Sequence, residues 1–547
     1  MTGPWWVGAT IYHAYVRSFR DSDGDGYGDL GGILEKLDYL DDLGISALWL
    51  SPVMPSPDHD WGYDVSDYRD IHPDLGTLAD IDTLITRCAA LDIRVILDLV
   101  PNHTSAAHRW FVEASSSPDS PYRDYYVWAA AQSDGTPPNN WVDDTGSSAW
   151  TWDERSQQYY MHNFLATQPD LNWWNPAVHR EFEQILDFWF DRGIAGFRID
   201  VANGLYHDKQ LRDNPYHPRA YIGDTEIQGR YGIQHVHNFN QPEVHDVYRN
   251  WRALAESRED PRLLMGETWV SRVDELAPYY GQGDQLQLAL NFPFLFESFT
   301  APALARVVAD SVAAFPPEAA MVWASSNHDI SRAATRWADG DQRRARLAQS
   351  IVALLPGTFV LYYGDELGMT DSDIPAQLHR DPLTAGNLNG QWPRDNARAA
   401  MRWDGSASGG FSAGDPWLPV HPDSAHNVAD QADDPTSMLA LVRTLIALRK
   451  THLSDPGASY REVEVGDRIW IFDSGPLRVV ANFSEDEIDY APAGVPVLSS
   501  RTLAPHRGTT LAPWEAMVSV RDDSPQQQRA GAQTVTTAMP RSVNGRS

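Results

Sequence analysis

A rhythm constrains this chain more than any other feature. Apolar runs of strand length, most of them followed by a helical stretch, recur from Ala9 to about residue 365. ATIYHAYV precedes ILEKLDYLDDLG, ISALWLSP precedes a helical stretch through Cys88, and RVILDLVPNH, AGFRIDVA, RLLMGETW, LQLALNF, MVWASSNHD and TFVLYYGDE continue the series. Such alternation builds βαβ units and a parallel sheet, and roughly eight strands are what a closed (β/α)8 TIM barrel requires. The expected fold is therefore α/β: a barrel from residues 1–104 and 174–451, interrupted after strand three by an inserted domain over 105–173. The insert is rich in Ser, Pro, Asp, Asn and Trp, with one short strand expected at QYYMHNF; a second irregular segment covers 371–434. The helix MLALVRTLIALRKTH closes the barrel part. Beyond it, REVEV, RIWIF, LRVVANF and AMVSV predict a C-terminal antiparallel β-sandwich over 452–522, and the polar tail 523–547 reads as disordered.

In a β/α barrel the reacting groups gather at the C-terminal ends of the strands. Here those ends are ionisable: Asp98 followed by Asn102 and His103, then Arg198 with Asp200, then Glu267, then His328 with Asp329. Charges crowded at one barrel mouth are costly unless paired or used. Arg198 and Asp200 stand two apart, hence on one face, and the cation is expected to keep Asp200 ionised, as a nucleophile needs. Glu267, on the next strand among other carboxylates, is expected to hold a proton for donation. Two carboxyls with opposed proton affinities are the equipment of glycoside hydrolysis, and a nucleophile paired with an acid gives the retaining route.

Composition narrows the partners. Lys+Arg number 43 against 75 Asp+Glu, a formal net charge of −32 that repels phosphate backbones and anionic lipid headgroups, so neither nucleic acid nor a membrane surface is an expected partner. The single cysteine, Cys88, lies in the apolar-periodic IDTLITRCAAL and is expected to be buried and inert. The first residues lack the features of a secretory signal, and no apolar run reaches the ~18 residues that span a bilayer, so the expectation is a cytoplasmic protein. The 21 Trp and 22 Tyr suit stacking against sugar rings as well as a core. No feature of the sequence fixes the oligomeric state.

DLVPNH (98–103), GFRID (196–200), GETW (266–269) and NHD (327–329), in that order on successive strands, resemble the four signature regions of the α-amylase superfamily, glycoside hydrolase family 13. QPDLN (168–172) and WGYDVSDY (61–68) resemble its oligo-1,6-glucosidase and α-glucosidase subfamily. The resemblance implies Asp200 as nucleophile, Glu267 as general acid/base and Asp329 as the third carboxylate, gripping sugar hydroxyls. It implies that Arg198, His103 and His328 hold the glucose, that Tyr63 stacks under its ring, and that Phe164 and Gln168 line the pocket. It also implies that Asp60 and Arg398, in RDNARAAMRW, pair to close the pocket around the non-reducing end. Two departures stand out. Asn203 and Gly204 occupy positions where α-amylases carry Lys-His, and Thr145 stands where many subfamily members have a Phe. Val201, after the nucleophile, is associated in the family with α-1,6 preference.

The loop Asp21-Ser-Asp23-Gly-Asp25-Gly-Tyr27-Gly-Asp29 places oxygen ligands at alternate positions with a Gly for the turn, as an EF-hand does, although Gly32 stands at the twelfth position in place of Glu. Four carboxylates and the Tyr27 carbonyl are expected to hold a structural Ca²⁺, as the subfamily resemblance also implies. Gly26-x-Gly28-x-x-Gly31 is a nominal dinucleotide fingerprint, but Asp25 and Asp29 would repel a pyrophosphate, and no organic cofactor is expected. The reading is an exo-acting α-glucosidase on short α-1,4 or α-1,6 glucosides. A transglucosidase or sucrose-isomerising enzyme with the same residues is the alternative, and a non-catalytic binding or scaffold relative the remote one.

Overall fold

The computed structural model describes residues 3–216, 232–382, 393–421, 426–505 and 508–521; the tail from 523 lies outside them. The eight apolar runs form strands β1 (Thr10–Ala14), β2 (Ala47–Leu50), β3 (Arg94–Leu99), β7 (Gly196–Ile199), β8 (Leu263–Gly266), β9 (Leu288–Ala289), β10 (Val322–Ala324) and β11 (Thr358–Tyr362). They pair in parallel in the order β10-β11-β1-β2-β3-β7-β8-β9, the cyclic order of a barrel with β9 and β10 at its seam. Strands buried on both faces read as continuous apolar runs, and here neighbours along one strand divide between two cores. Ile11, Trp49, Ile96, Met265 and Val360 fill the barrel, while Tyr12, Leu48, Leu97, Leu264 and Leu361 face the surrounding helices. The same period of two aims His13, Asp98 and Arg198, each two residues beyond an inward position, into the barrel mouth.

Helix boundaries follow local chemistry. Leu78–Ala90 starts at a Thr77/Asp80 capping box, and Pro176–Arg192 runs from an Asn175 cap to Gly193, whose φ of 100° ends it. The helical stretch expected after β1 breaks at Lys36 into Leu30–Glu35 and Leu37–Leu43. Cys88 is buried and unpaired. No helix among the described residues is long and apolar enough to cross a membrane.

Between β3 and β7 the chain forms the helix Arg109–Ser116 and a three-stranded antiparallel sheet, β4 (Trp128–Ala129), β6 (Gln158–Met161) and β5 (Trp150–Asp153). Buried amides tie this segment to the barrel rim. Asp170 accepts from the Asn163 N–H (3.0 Å), Asn163 Nδ2 (2.6 Å) and Asn102 Nδ2 (3.2 Å), and Asn238 Nδ2 donates to Asn163 Oδ1 (2.8 Å). After the helix Met438–His452 come β12 (Tyr460–Val465), β13 (Ile469–Ser474), β14 (Leu477–Asn482), β15 (Ile488–Asp489), β16 (Val495–Ser499), β17 (Thr510–Leu511) and β18 (Ala516–Val520), which form a five-stranded antiparallel sheet in the order β12-β13-β14-β18-β16 and a two-stranded one, β15 with β17. Three of these strands, β15, β16 and β17, are too short or too proline-broken to announce themselves in the sequence.

Candidate active site

Adjacent strand ends build the centre of the site. Asp98 and Arg198 are register partners on β3 and β7, Asp200 follows β7, and Glu267 follows β8. The Arg198 guanidinium is 1% exposed and serves three carboxylates. Its Nη1 lies 2.8 Å from Asp98 Oδ1 and 2.8 Å from Asp200 Oδ1, and its Nη2 lies 2.6 Å from Glu267 Oε2. Glu267 Oε2 also accepts the Val201 N–H (3.0 Å). Val201 reaches that position with φ 45°, a left-handed conformation rare for a β-branched residue.

This arrangement corrects the expected charge logic. The one cation expected to act on Asp200 is divided among three buried carboxylates. Burial pushes the Asp200 carboxyl well above its ordinary range, Arg198 pulls it down, and Glu267, Asp98 and a hydrogen bond with Glu267 push it up again. The Asp200 carboxyl thus lies beside a second carboxyl, Glu267, on the other nitrogen of the same guanidinium. Burial likewise lifts Asp98 to about 6 against the pull of Arg198.

A second cluster closes the other side. The Arg394 guanidinium reaches Asp60 Oδ1 (2.8 Å), Asp329 Oδ1 (3.1 Å) and Asp381 Oδ1 (2.5 Å), and Arg398 Nη2 reaches Asp329 Oδ1 (3.0 Å). The expected Asp60–Arg398 pair is thus replaced: Asp60 is held by Arg394, while Arg398 sits behind, its Nε donating to the His328 carbonyl (2.8 Å). Burial opposes ionisation of Asp329, yet Arg394, Arg398 and Arg198 outweigh it and lower its pKa. Asp60, with Arg394 as its principal cation, is pushed by burial up to about 6.

The remaining predicted residues converge here. Tyr63 donates its hydroxyl to Asp98 Oδ2 (3.0 Å), lies 2.6 Å from His328 Nε2, and stacks on the His328 ring at 5.2 Å and 3°. Gln168 Nε2 donates to Asp60 Oδ2 (3.0 Å), His103 Nε2 donates to the Tyr63 carbonyl (3.0 Å), and the half-buried Phe164 ring lies 5.2 Å from His103. Burial lowers the pKa of His103 to about 4 and of His328 well below the ordinary value, so both are neutral donors and acceptors. Arg394 and Asp381 escaped the sequence reading. Arg394 stands four residues before Arg398, one helical turn away, and that spacing was the available signal.

The departures from the α-amylase pattern have physical reasons. A Cβ at Gly204 would stand 2.7 Å from Val201 Cγ1 and 2.8 Å from Asn102 Oδ1, so the second residue of a Lys-His pair does not fit. Asn203 instead exchanges hydrogen bonds with the Trp269 backbone beside Glu267. Thr145 turns its hydroxyl onto Asp143 (2.7 Å).

The acidic loop lies apart from these residues. Asp21, Asp23 and Asp29 bring ligand oxygens within 4.8 Å of one another. Asp25 is not in that cluster, and its carboxylate accepts the Tyr27 N–H (2.8 Å). Of the four carboxylates and the Tyr27 carbonyl expected as ligands, Asp21, Asp23 and Asp29 are the three carboxylates that converge.

A parallel barrel whose mouth carries a pair of carboxyls on one buried arginine, with a third carboxylate opposite, defines a glycoside hydrolase of the β/α-barrel class. The model of the alpha amylase catalytic domain matches residues 13–455, and the chain belongs to that family. It is 40% identical over 475 residues to a probable alpha-glucosidase of Rhizobium meliloti (84% of this chain, 84% of that one). To an oligo-1,6-glucosidase of Parageobacillus thermoglucosidasius it is 37% identical over 524 residues (88% and 91%). Among solved structures, an alpha-glucosyl transfer enzyme superposes with TM-score 0.89 at 37% identity (95% of this chain, 100% of that one). The trehalulose synthase of Pseudomonas mesoacidophila does so with 0.85 at 29% (95% and 99%).

Proposed function

We propose that the protein is a retaining, exo-acting α-glucosidase that removes glucose from the non-reducing end of short α-1,4 or α-1,6 glucosides. The observation that carries this reading is the pair of carboxyls, Asp200 and Glu267, held at 2.8 and 2.6 Å on the two terminal nitrogens of the buried Arg198 guanidinium at the barrel mouth. In the reactive state Glu267 carries the proton, facing the leaving oxygen, and Asp200 is the anion beside Arg198. One carboxyl then donates to the leaving oxygen while the other attacks C1. Water activated by Glu267 releases glucose in the second step. Asp329, kept ionised by two arginines, accepts hydrogen bonds from sugar hydroxyls, and Arg198 stabilises the charge passing between Asp200 and Glu267. The Asp60–Arg394–Asp381 contact supports the exo reading, because it bars further sugar beyond the first ring.

Transglucosylation by the same residues is the second reading. It is favoured by the likeness to a glucosyl transfer enzyme and a trehalulose synthase. Incubating the pure protein separately with maltose, isomaltose and sucrose and resolving the products tests both: glucose dominates under the first reading, new di- and trisaccharides under the second.

We also propose that the acidic loop binds calcium. The oxygen donors of Asp21, Asp23 and Asp29 are the hard ligand set this ion takes, and Asp21 and Asp29 are buried where an ion would offset their charge. A bound cation would stiffen the loop and take no part in the reaction.

A further inference from the structure

Residues 411–417 lie against the acidic loop. The Asp21 N–H donates to the Phe411 carbonyl (3.0 Å), the Ser412 hydroxyl to Asp21 Oδ2 (2.5 Å), and the Trp417 N–H to the Gly26 carbonyl (2.9 Å). At Gly26, with φ +96°, a Cβ would stand 2.3 Å from the Asp415 carbonyl oxygen, so the two segments are in contact with no space for a side chain between them. Any change in the loop is therefore felt by the segment that ends in Trp417.

Trp417 is buried, and two routes lead from it to the sugar pocket. Its ring stacks on Tyr27 of the loop (6.2 Å, 29°) and on Tyr15 (6.1 Å, 21°). Tyr15 lies along the His328 ring (5.9 Å, 24°), and the Arg398 guanidinium sits 5.3 Å from its centre. The Tyr15 hydroxyl is buried with no hydrogen-bond partner among the described residues, so packing and ring contacts hold it in place. The second route is polar: Trp417 Nε1 donates to Ser18 Oγ (3.0 Å), and Ser18 Oγ donates to the Arg398 carbonyl (2.5 Å).

We propose that Trp417 is a positioning residue that couples the acidic loop to the His328–Arg398 side of the pocket, so that a divalent cation at Asp21, Asp23 and Asp29 tightens substrate binding. The proposal rests on the cation reading above. It adds that the ion acts on affinity through Tyr15 and Ser18 and not on stability alone.

The test compares the full-length protein after chelation and after Ca²⁺ addition, measuring Tm and, with an aryl α-glucoside, KM and kcat, for wild type, Trp417→Leu, Trp417→Phe and Ser18→Ala. Ca²⁺ raises Tm in all four and lowers KM of the wild type by about fivefold or more, the usual size of a coupling between sites. Trp417→Leu keeps the Tm shift and loses the KM response. Trp417→Phe, which keeps the stack without the Ser18 bond, and Ser18→Ala each retain part of it. A KM response in Trp417→Leu equal to that of the wild type, or a wild type whose Tm responds while its KM does not, overturns the coupling. Absence of any Tm shift in the wild type overturns the cation reading, and the coupling with it.

Discussion

Two charge clusters face each other across this barrel mouth, and they differ in one ratio. Around Asp200 three carboxylates share the single guanidinium of Arg198; around Asp329 the carboxylates of Asp60, Asp329 and Asp381 meet Arg394 and Arg398. Both are buried, and burial alone would raise every carboxyl. The extra cation reverses the outcome: Asp329 is lowered while Asp200 is raised. The side short of positive charge raises the proton affinity of Asp200. On the side with a second arginine Asp329, reached by both guanidinium groups, is held low and suited to gripping, while Asp60, held chiefly by Arg394, is raised to about 6. Between Asp200 and Asp329 the difference follows from the number of guanidinium groups that reach each carboxyl, one against two, with the residue type held constant.

Altering that ratio breaks the comparison in a graded way. The largest effect is expected from Asp200→Ala, which removes the attacking group: kcat/KM on an aryl α-glucoside falls by about 10⁴-fold or more, with the fold retained by circular dichroism. Arg394→Met takes a cation from the gripping side. KM rises by about ten- to a hundredfold, the pKa of Asp329 rises, and the acid limb of the kcat/KM profile moves to higher pH. Asp98→Asn takes a negative charge from the acid side, which lowers the pKa of Asp200 and moves the acid limb to lower pH, by about one unit.

Asp98→Asn also has a thermal signature. A carboxyl whose folded pKa is raised to about 6 from 3.8 leaves the folded state binding more protons between those values, so its contribution to stability is lost as pH rises through that window. The Tm of the Asn variant relative to wild type therefore improves from pH 4 to pH 6. Chelation gives the smallest effect expected, a fall in Tm of a few degrees with kcat unchanged.

The barrel was legible because strands buried on both faces leave unbroken apolar runs, and the catalytic carboxylates because they sit where those runs end. What stayed hidden depends on where long side chains reach. Arg394 and Arg398 are one helical turn apart, and only the packed loops decide which of them meets Asp60. The titration of Asp200 was misread because sequence pairs it with Arg198 alone, whereas the fold brings Asp98 and Glu267 to the same guanidinium. Alternation along the acidic loop places four carboxylates near one another, and the fold brings the oxygens of three, Asp21, Asp23 and Asp29, together.

The central claim is that Asp200 is the nucleophile of a covalent glucosyl-enzyme. Trapping with 5-fluoro-α-D-glucosyl fluoride, followed by proteolysis and mass spectrometry, tests it directly. The label is expected on the peptide carrying Asp200, with loss of labelling in Asp200→Ala. A label on Glu267 or Asp329, or rapid turnover of the reagent to the β-anomer of the product with no adduct, would contradict the account.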